Sequence, residues 1–143
     1  MTNALHILYV IIAAVMTATT IGCTHNNGDI GKIFGQWQLR SVEAVTPDAE
    51  PGMPEGEMYW AFQSSTIRVS LVSDRHDVSE SYGNFRIEDQ TLFLDFPDTA
   101  YPQLIPGADR QSRWQIVRFT SKELILLFTS DDGVESEWKF HKW

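Results

Sequence analysis

The sequence of 143 residues contains only one cysteine, Cys23. The chain therefore cannot close an intrachain disulfide, and it cannot build a metal site from two thiolates. In an oxidising compartment, its stability must come from the burial of apolar side chains. After residue 22 the chain also lacks any apolar run long enough to span a membrane.

Basic residues are scarce. Lys and Arg number 11 against 19 Asp and Glu, which gives a formal net charge of −8. A nucleic-acid partner requires a basic face for the phosphates, and no such face is visible in the sequence. We therefore expect no binding to nucleic acid.

Catalytic and metal-binding motifs are missing as well. The sequence has no Gly-x-Ser-x-Gly and no His-Glu-x-x-His, and His76 and His141 stand isolated. The segment 131–135 lacks the regular acidic ladder of a calcium loop. We expect no enzyme activity, no metal and no cofactor.

The N-terminal segment has its own pattern. Its first 22 residues contain no Lys, Arg, Asp or Glu, and residues 5–14 form an apolar run of the length found in signal-peptide cores. Residues 20–23, Thr-Ile-Gly-Cys, resemble the lipobox of bacterial lipoproteins. An ordinary apolar helix with an incidental cysteine is the alternative.

The lipobox resemblance implies cleavage after Gly22 and acylation of Cys23. We therefore expect a signal peptide at residues 1–22, a tether at 23–32 and a folded domain at 33–143. The lipid bilayer would be a partner through the acylated Cys23, because two or three acyl chains anchor a protein stably. The expected location is the bacterial cell envelope, as a membrane-anchored lipoprotein facing the periplasm.

Prolines divide the remaining chain, since all six fall within residues 47–54 and 97–106. Short alternating segments around these loops predict eight strands, at residues 36–44, 57–63, 66–73, 79–88, 91–96, 113–120, 123–130 and 134–142. A change of phase in residues 114–119 indicates a bulge. We predict an all-β fold, an eight-stranded antiparallel up-and-down barrel, in preference to a sandwich, because closure leaves no free edge.

The first predicted strand carries a Gly-x-Trp at Gly35 and Trp37. This motif, followed by eight strands, resembles the calycin superfamily, and most of all the small lipocalin-like lipoproteins of bacteria. The resemblance implies that Gly35 and Trp37 form a structural plug at the base of the barrel. It also implies a binding function.

Alternate connections of an up-and-down barrel share one end, so both long loops should meet at one rim. Ten acidic and three basic residues fall there, which would repel anionic ligands. They could equally be ordinary turn residues. The tether would enter at the opposite, Trp37 end.

The candidate ligand-binding residues are of three kinds. Four aromatic residues could line a cavity or fill it: Trp60, Phe62, Trp114 and Phe128. Tyr101, Leu104 and Ile105 are apolar residues in the second long loop, where they could form a lid, form a protein-binding patch or fold onto the core. Arg118 would be a ligand anchor if it points inward.

Two functions follow from these alternatives. The first is a carrier or sensor that holds a small apolar or weakly cationic ligand in the barrel, and it requires an aromatic cavity that opens at the rim. The second is a filled barrel that binds another envelope protein through its rim, as an inhibitor or assembly factor would. It requires an exposed apolar patch at residues 101–105.

Overall fold

The structure is a computed structural model that describes residues 31–98 and 102–143. The predicted signal peptide, Cys23 and most of the predicted tether lie outside these residues. The described part consists of eight strands: β1 Gly35–Ala44, β2 Glu57–Gln63, β3 Thr66–Val72, β4 Val78–Glu88, β5 Thr91–Asp95, β6 Gln111–Phe119, β7 Glu123–Thr129 and β8 Glu135–Lys142. Each predicted strand is present, with its ends within two residues of the prediction. Within these ranges no helix has the length and apolar character that crossing a membrane would need.

The strands form a closed barrel in chain order. Every neighbouring pair is antiparallel, and β1 pairs with β8 from Trp37↔Lys142 to Ala44↔Ser136. This last pairing closes the sheet, so each strand has a hydrogen-bonded neighbour on both sides along part of its length. The predicted all-β, eight-stranded up-and-down barrel is therefore confirmed.

Local irregularities keep the apolar residues on the inner face. The register of β6 shifts between Ile116 and Arg118, which confirms the predicted bulge and leaves Val117 as the extra residue. A second shift between Leu39 and Ser41 in β1 had no clear signal in the sequence. The β4–β5 turn has positive φ angles at both Asp89 and Gln90, as a tight primed turn requires.

The four alternate connections meet at one end, which we call the rim, with the described residues 45–56, 73–77, 96–98, 102–110 and 130–134. The two long loops touch there, because a Cβ on Gly52 would lie 2.7 Å from Pro106 Cβ. The Asp131 amide donates to the Gly107 carbonyl at 3.4 Å. The chain enters at the opposite end, where Lys142 Nζ donates to the Lys32 carbonyl at 2.9 Å.

Candidate ligand site in the aromatic interior

The base of the barrel is closed around Trp37. This side chain is fully buried, and its indole N–H donates to the Ile33 carbonyl at 2.7 Å. Ile33 is itself fully buried, and the Phe119 ring lies 6.1 Å from that of Trp37. Gly35 has a φ of +106°, and a Cβ there would lie 3.2 Å from Lys142 Cε, so the position suits only glycine. The structure therefore places Gly35 and Trp37 at the closed end.

The Lys142 side chain covers the Trp37 ring at the base of the barrel. Its ammonium lies 4.6 Å from the centroid of the Trp37 ring and also donates to the Phe34 carbonyl. Partial burial of this cation lowers the pKa of Lys142 from its usual value. Sequence reasoning missed this contact, because only the register of β1 with β8 brings the last strand beside Trp37.

The middle of the barrel is an aromatic cluster centred on Trp60. The Trp60 ring lies 4.6 Å from Phe140 and 5.2 Å from Trp114, measured between centroids. It also lies 6.3 Å from Phe62 and 6.4 Å from Trp138. The structure thus brings Trp60, Phe62 and Trp114 together, and adds Trp138 and Phe140. The sequence showed the alternation of β8 but did not single out these two as site residues.

Phe128 completes the cluster on the side of β6 and β7. Its ring stacks on Trp114 at 4.1 Å with an angle of 16° between the planes. Trp60 and Trp114 are fully buried, and Phe128 is nearly so. In this arrangement the four predicted aromatic residues contact each other and fill the middle of the barrel.

The wall of the barrel is interrupted beside this stack. The pairing of β6 with β7 ends at Gln115↔Leu127, although both strands continue toward the rim. There, residues 111–114 pair only with β5, and residues 128–129 pair only with β8. We call this interval the β6–β7 seam.

A groove of about 530 Å³ lies along the β6–β7 seam. Trp114 and Phe128 contribute to its lining, together with the polar residues Gln111, Ser112, Arg113, Thr129, Asp131 and Glu135. The groove therefore connects the acidic rim with the outer side of the aromatic stack. From the pair Gln115↔Leu127 to the rim, the wall beside this groove has no backbone pairing between β6 and β7.

The second long loop covers the rim end of the barrel. Ile105 is 2% exposed and Leu104 packs against the core, so these two residues fold onto the core and form no exposed patch. The Gln103 amide holds this loop by donating to the Ala108 and Asp109 carbonyls at 2.8 and 2.9 Å. Tyr101, the third predicted loop residue, lies outside the described residues.

The prediction that Arg118 could anchor a ligand is wrong. Arg118 lies on the outer surface, where its side chain is 61% exposed and its guanidinium lies 3.0 Å from a Glu123 carboxylate oxygen. The bulge at Val117 places two successive residues on the outside, so Arg118 does not reach the interior and cannot anchor a ligand in the barrel.

The interior is uncharged, in contrast to the rim. Among residues 31–98 and 102–143, no buried side chain is Asp, Glu, Lys or Arg. In the same ranges no group of three His, Cys, Asp or Glu residues is placed to hold a metal ion. The described site therefore offers apolar contact, aromatic faces and a few uncharged polar atoms.

A closed barrel with a Gly-x-Trp base and an aromatic interior defines the calycin class of proteins. Within this class, the chain belongs to the family of the lipocalin-like domain, which matches residues 15–132. Members of the lipocalin-like family are generally binding proteins. A comparison with curated proteins gave no match.

Solved structures agree with this fold. The barrel is similar to a lipocalin-like protein from Bacteroides uniformis, with a TM-score of 0.62 and 15% identity over 79% of this chain and 100% of that chain. It is also similar to an uncharacterized protein from Bacteroides eggerthii, with a TM-score of 0.58 and 16% identity over 77% of this chain and 98% of that chain. At such identities the likeness concerns the fold alone.

Proposed function

We propose that this chain is a membrane-tethered lipocalin-like lipoprotein of the bacterial cell envelope that binds a small apolar ligand inside its barrel. The observation that carries the proposal is the uncharged aromatic cluster around Trp60, closed at the base by Trp37 and bordered by the β6–β7 seam. Such a lining gives a ligand apolar burial and aromatic contact.

The charge distribution supports an uncharged ligand. The groove along the β6–β7 seam contains Asp109, Asp131 and Glu135 against Arg113, so anions are repelled at the entrance. A cation would pass the rim more easily, but inside it would lose its hydration without a carboxylate partner. The uncharged apolar ligand is therefore favoured over the weakly cationic one.

Entry of a ligand requires the cover to move, because Trp114 and Ile105 are buried. The β6–β7 seam and the second long loop can open without breaking the β6–β7 ladder, and the groove along the seam reaches Trp114 and Phe128. Loops and unpaired strand ends open at lower free-energy cost than the paired core. We assign the entrance to the β6–β7 seam beneath the rim.

The alternative of a protein-interaction module has less support. It requires an exposed apolar patch in the second long loop, and Ile105 instead packs into the core while Leu104 packs against it. The filled middle of the barrel agrees with this alternative, because Trp60, Trp114 and Phe128 are buried in contact with each other there. The carrier function therefore requires these rings to move apart when a ligand binds.

Native mass spectrometry of the full-length protein from host membranes tests the ligand. We expect the lipidated chain to carry an additional small mass that organic solvent removes. The proposal is wrong if the gently extracted protein carries no such mass and also fails to bind an added apolar probe such as α-methylstyrene.

The tether has its own test. We propose that acylated Cys23 holds the domain at the membrane, with the rim facing the periplasm. Cys23→Ala should abolish labelling by a clickable fatty acid and change the processing of the chain, whereas Thr24→Ala, the matched control, should leave labelling intact. Equal labelling of wild type and Cys23→Ala would refute the acyl anchor.

A further inference from the structure

The four buried tryptophans differ in one respect, the partner of the indole N–H. Trp37 donates to the Ile33 carbonyl at 2.7 Å. Trp114 donates to Ser112 Oγ at 2.8 Å, and Trp138 donates to Ser136 Oγ at 3.0 Å. Trp60 is fully buried too, but its Nε1 has no acceptor among the described residues.

The sequence explains why Trp60 has no acceptor. Side chains two residues apart on a strand share a face, so the residue at i−2 lies beside each tryptophan. That residue is a serine before Trp114 and before Trp138, whereas before Trp60 it is Met58. Met58 is buried, and its thioether is a weak acceptor that forms no hydrogen bond with Trp60 here.

An unpaired buried donor is costly, and folded proteins contain few of them. The cost here falls at the centre of the aromatic cluster, since Trp60 contacts four aromatic rings. Its neighbours along the hydrogen-bonded row toward β4 are the smaller Val69 and Ser81. Ser81 is 2% exposed. The side chains beside Trp60 on β3 and β4 are therefore small, and one of them carries a buried hydroxyl.

We propose that the Trp60 indole N–H is the polar anchor of the ligand site, and that the ligand is an uncharged apolar molecule with an oxygen acceptor such as a ketone, ester or ether. This inference rests on the proposed binding function and specifies its ligand. The ligand oxygen accepts a hydrogen bond from the Trp60 indole N–H. The apolar part of the ligand replaces some of the side-chain contacts around Trp114 and Phe128. A charged carboxylate is excluded, because no buried cation in the described interior would compensate it.

The test compares two probes of nearly equal shape, acetophenone and α-methylstyrene, which differ by an oxygen against a methylene. Full-length protein in lipid nanodiscs is titrated with each probe, and empty nanodiscs correct for partitioning into lipid. The affinity is measured together with the ¹H–¹⁵N resonances of the indole N–H groups. Trp60→Phe removes the unpaired donor, and Trp143→Phe is the control, because Trp143 is 70% exposed and lies outside the aromatic cluster.

We expect acetophenone to bind wild type about fivefold more tightly than α-methylstyrene, since a net hydrogen bond of about 1 kcal/mol corresponds to a factor of about five. The preference should vanish in Trp60→Phe and persist in Trp143→Phe. The Trp60 indole proton should shift downfield with acetophenone and not with α-methylstyrene.

Two other results would overturn the inference in different ways. Equal binding of both probes to wild type and to Trp60→Phe would leave the carrier function intact and refute Trp60 as the anchor. Failure of both probes to bind would refute the carrier function and the anchor together.

Discussion

At the scale of the residue, the tryptophans combine two roles that the sequence does not separate. All four buried ones fill space in the barrel, and three of them also satisfy their indole N–H within their own region of the chain. Composition and alternation predict the burial. Two of the hydrogen bonds depend on a serine at i−2, and the third goes to a backbone carbonyl at i−4, which alternation does not report.

Replacing single tryptophans by phenylalanine should distinguish the bonded from the unbonded indole. Trp138→Phe leaves Ser136 Oγ buried without its donor, whereas Trp60→Phe removes an unpaired group. The lost volume is the same in both variants, so Trp138→Phe should be more destabilised by about 1–2 kcal/mol in urea unfolding. Equal free energies of unfolding would contradict the unpaired state of Trp60.

Gly83 shows a different constraint, the close approach of two strands. A Cβ at this position would lie 2.5 Å from the Asp95 carbonyl oxygen and 2.7 Å from the Phe96 ring. Gly83→Ala should therefore destabilise the barrel by about 1–3 kcal/mol. Gly31→Ala, which meets nothing within 4 Å, is the control and should change the unfolding midpoint little. Similar midpoints for the two variants would refute this packing.

At the scale of the element, the strands were more predictable than the contacts between them. Alternation in β3 and β8 and the proline clusters fixed strand positions to within two residues. The bulge in β6 was visible as a change of phase, but the phase change did not show on which face Arg118 lies, and the structure places it outside. The shift at Arg40 in β1 left no such signal, because polar and apolar residues already mix there.

The candidate site was predictable only in part for the same reason. The sequence indicated which aromatic residues face inward, but the stacking of Trp114 on Phe128 depends on register across two strands. The burial of Ile105 depends on how a loop of irregular structure folds back, which no periodicity reports. The β6–β7 seam likewise appears only when the ends of the ladders are compared.

The β6–β7 seam predicts a kinetic effect. Continuing the register of β6 and β7 toward the rim would place Arg113 opposite Thr129, so a disulfide in Arg113→Cys/Thr129→Cys should close the seam. In a Cys23→Ser background, oxidation should slow α-methylstyrene binding at least tenfold, and reduction should restore it. Leu127→Cys/Glu137→Cys joins a pair already in register and should leave the rate unchanged. Equal rates in both oxidised variants would place the entrance elsewhere.

The β7–β8 turn predicts a pH effect. Two hydrogen bonds lower the pKa of Asp132 from its usual 3.8. The larger effect comes from the Ser130 hydroxyl and the smaller one from the Val134 amide. Asp132 is then more stabilised when charged in the folded state, so its contribution is present above pH 3.8 and is lost as pH falls through the lower folded pKa. The stability difference between wild type and Asp132→Asn should shrink over this acidic range, as followed by urea midpoints.

Asp131→Asn is the matched control, because it removes a charge from the same turn without touching the contacts of Asp132 to Ser130 and Val134. A difference between wild type and Asp132→Asn that stays constant from neutral pH to pH 3 would contradict the assignment.

At the scale of the whole molecule, the barrel has two unlike ends. The base holds Trp37, Lys142 and the entering chain, and it is sealed by hydrogen bonds to Lys32 and Phe34. The rim holds both long loops, which touch at Gly52 and Pro106 and cover the interior with Ile105. A chain held at the base would present the rim, and the β6–β7 seam beneath it, to the surrounding solution.

Binding of an apolar molecule inside this barrel can be tested with two methionines that lie close together in the sequence. Met58 is 1% exposed beside Trp60, whereas Met53 is 56% exposed in the first long loop. In an NMR titration of ¹³C-methyl-methionine protein with α-methylstyrene, we expect a saturable shift of the Met58 methyl and little change at Met53. A shift confined to Met53, or no saturable shift at either methyl, would contradict binding inside the barrel.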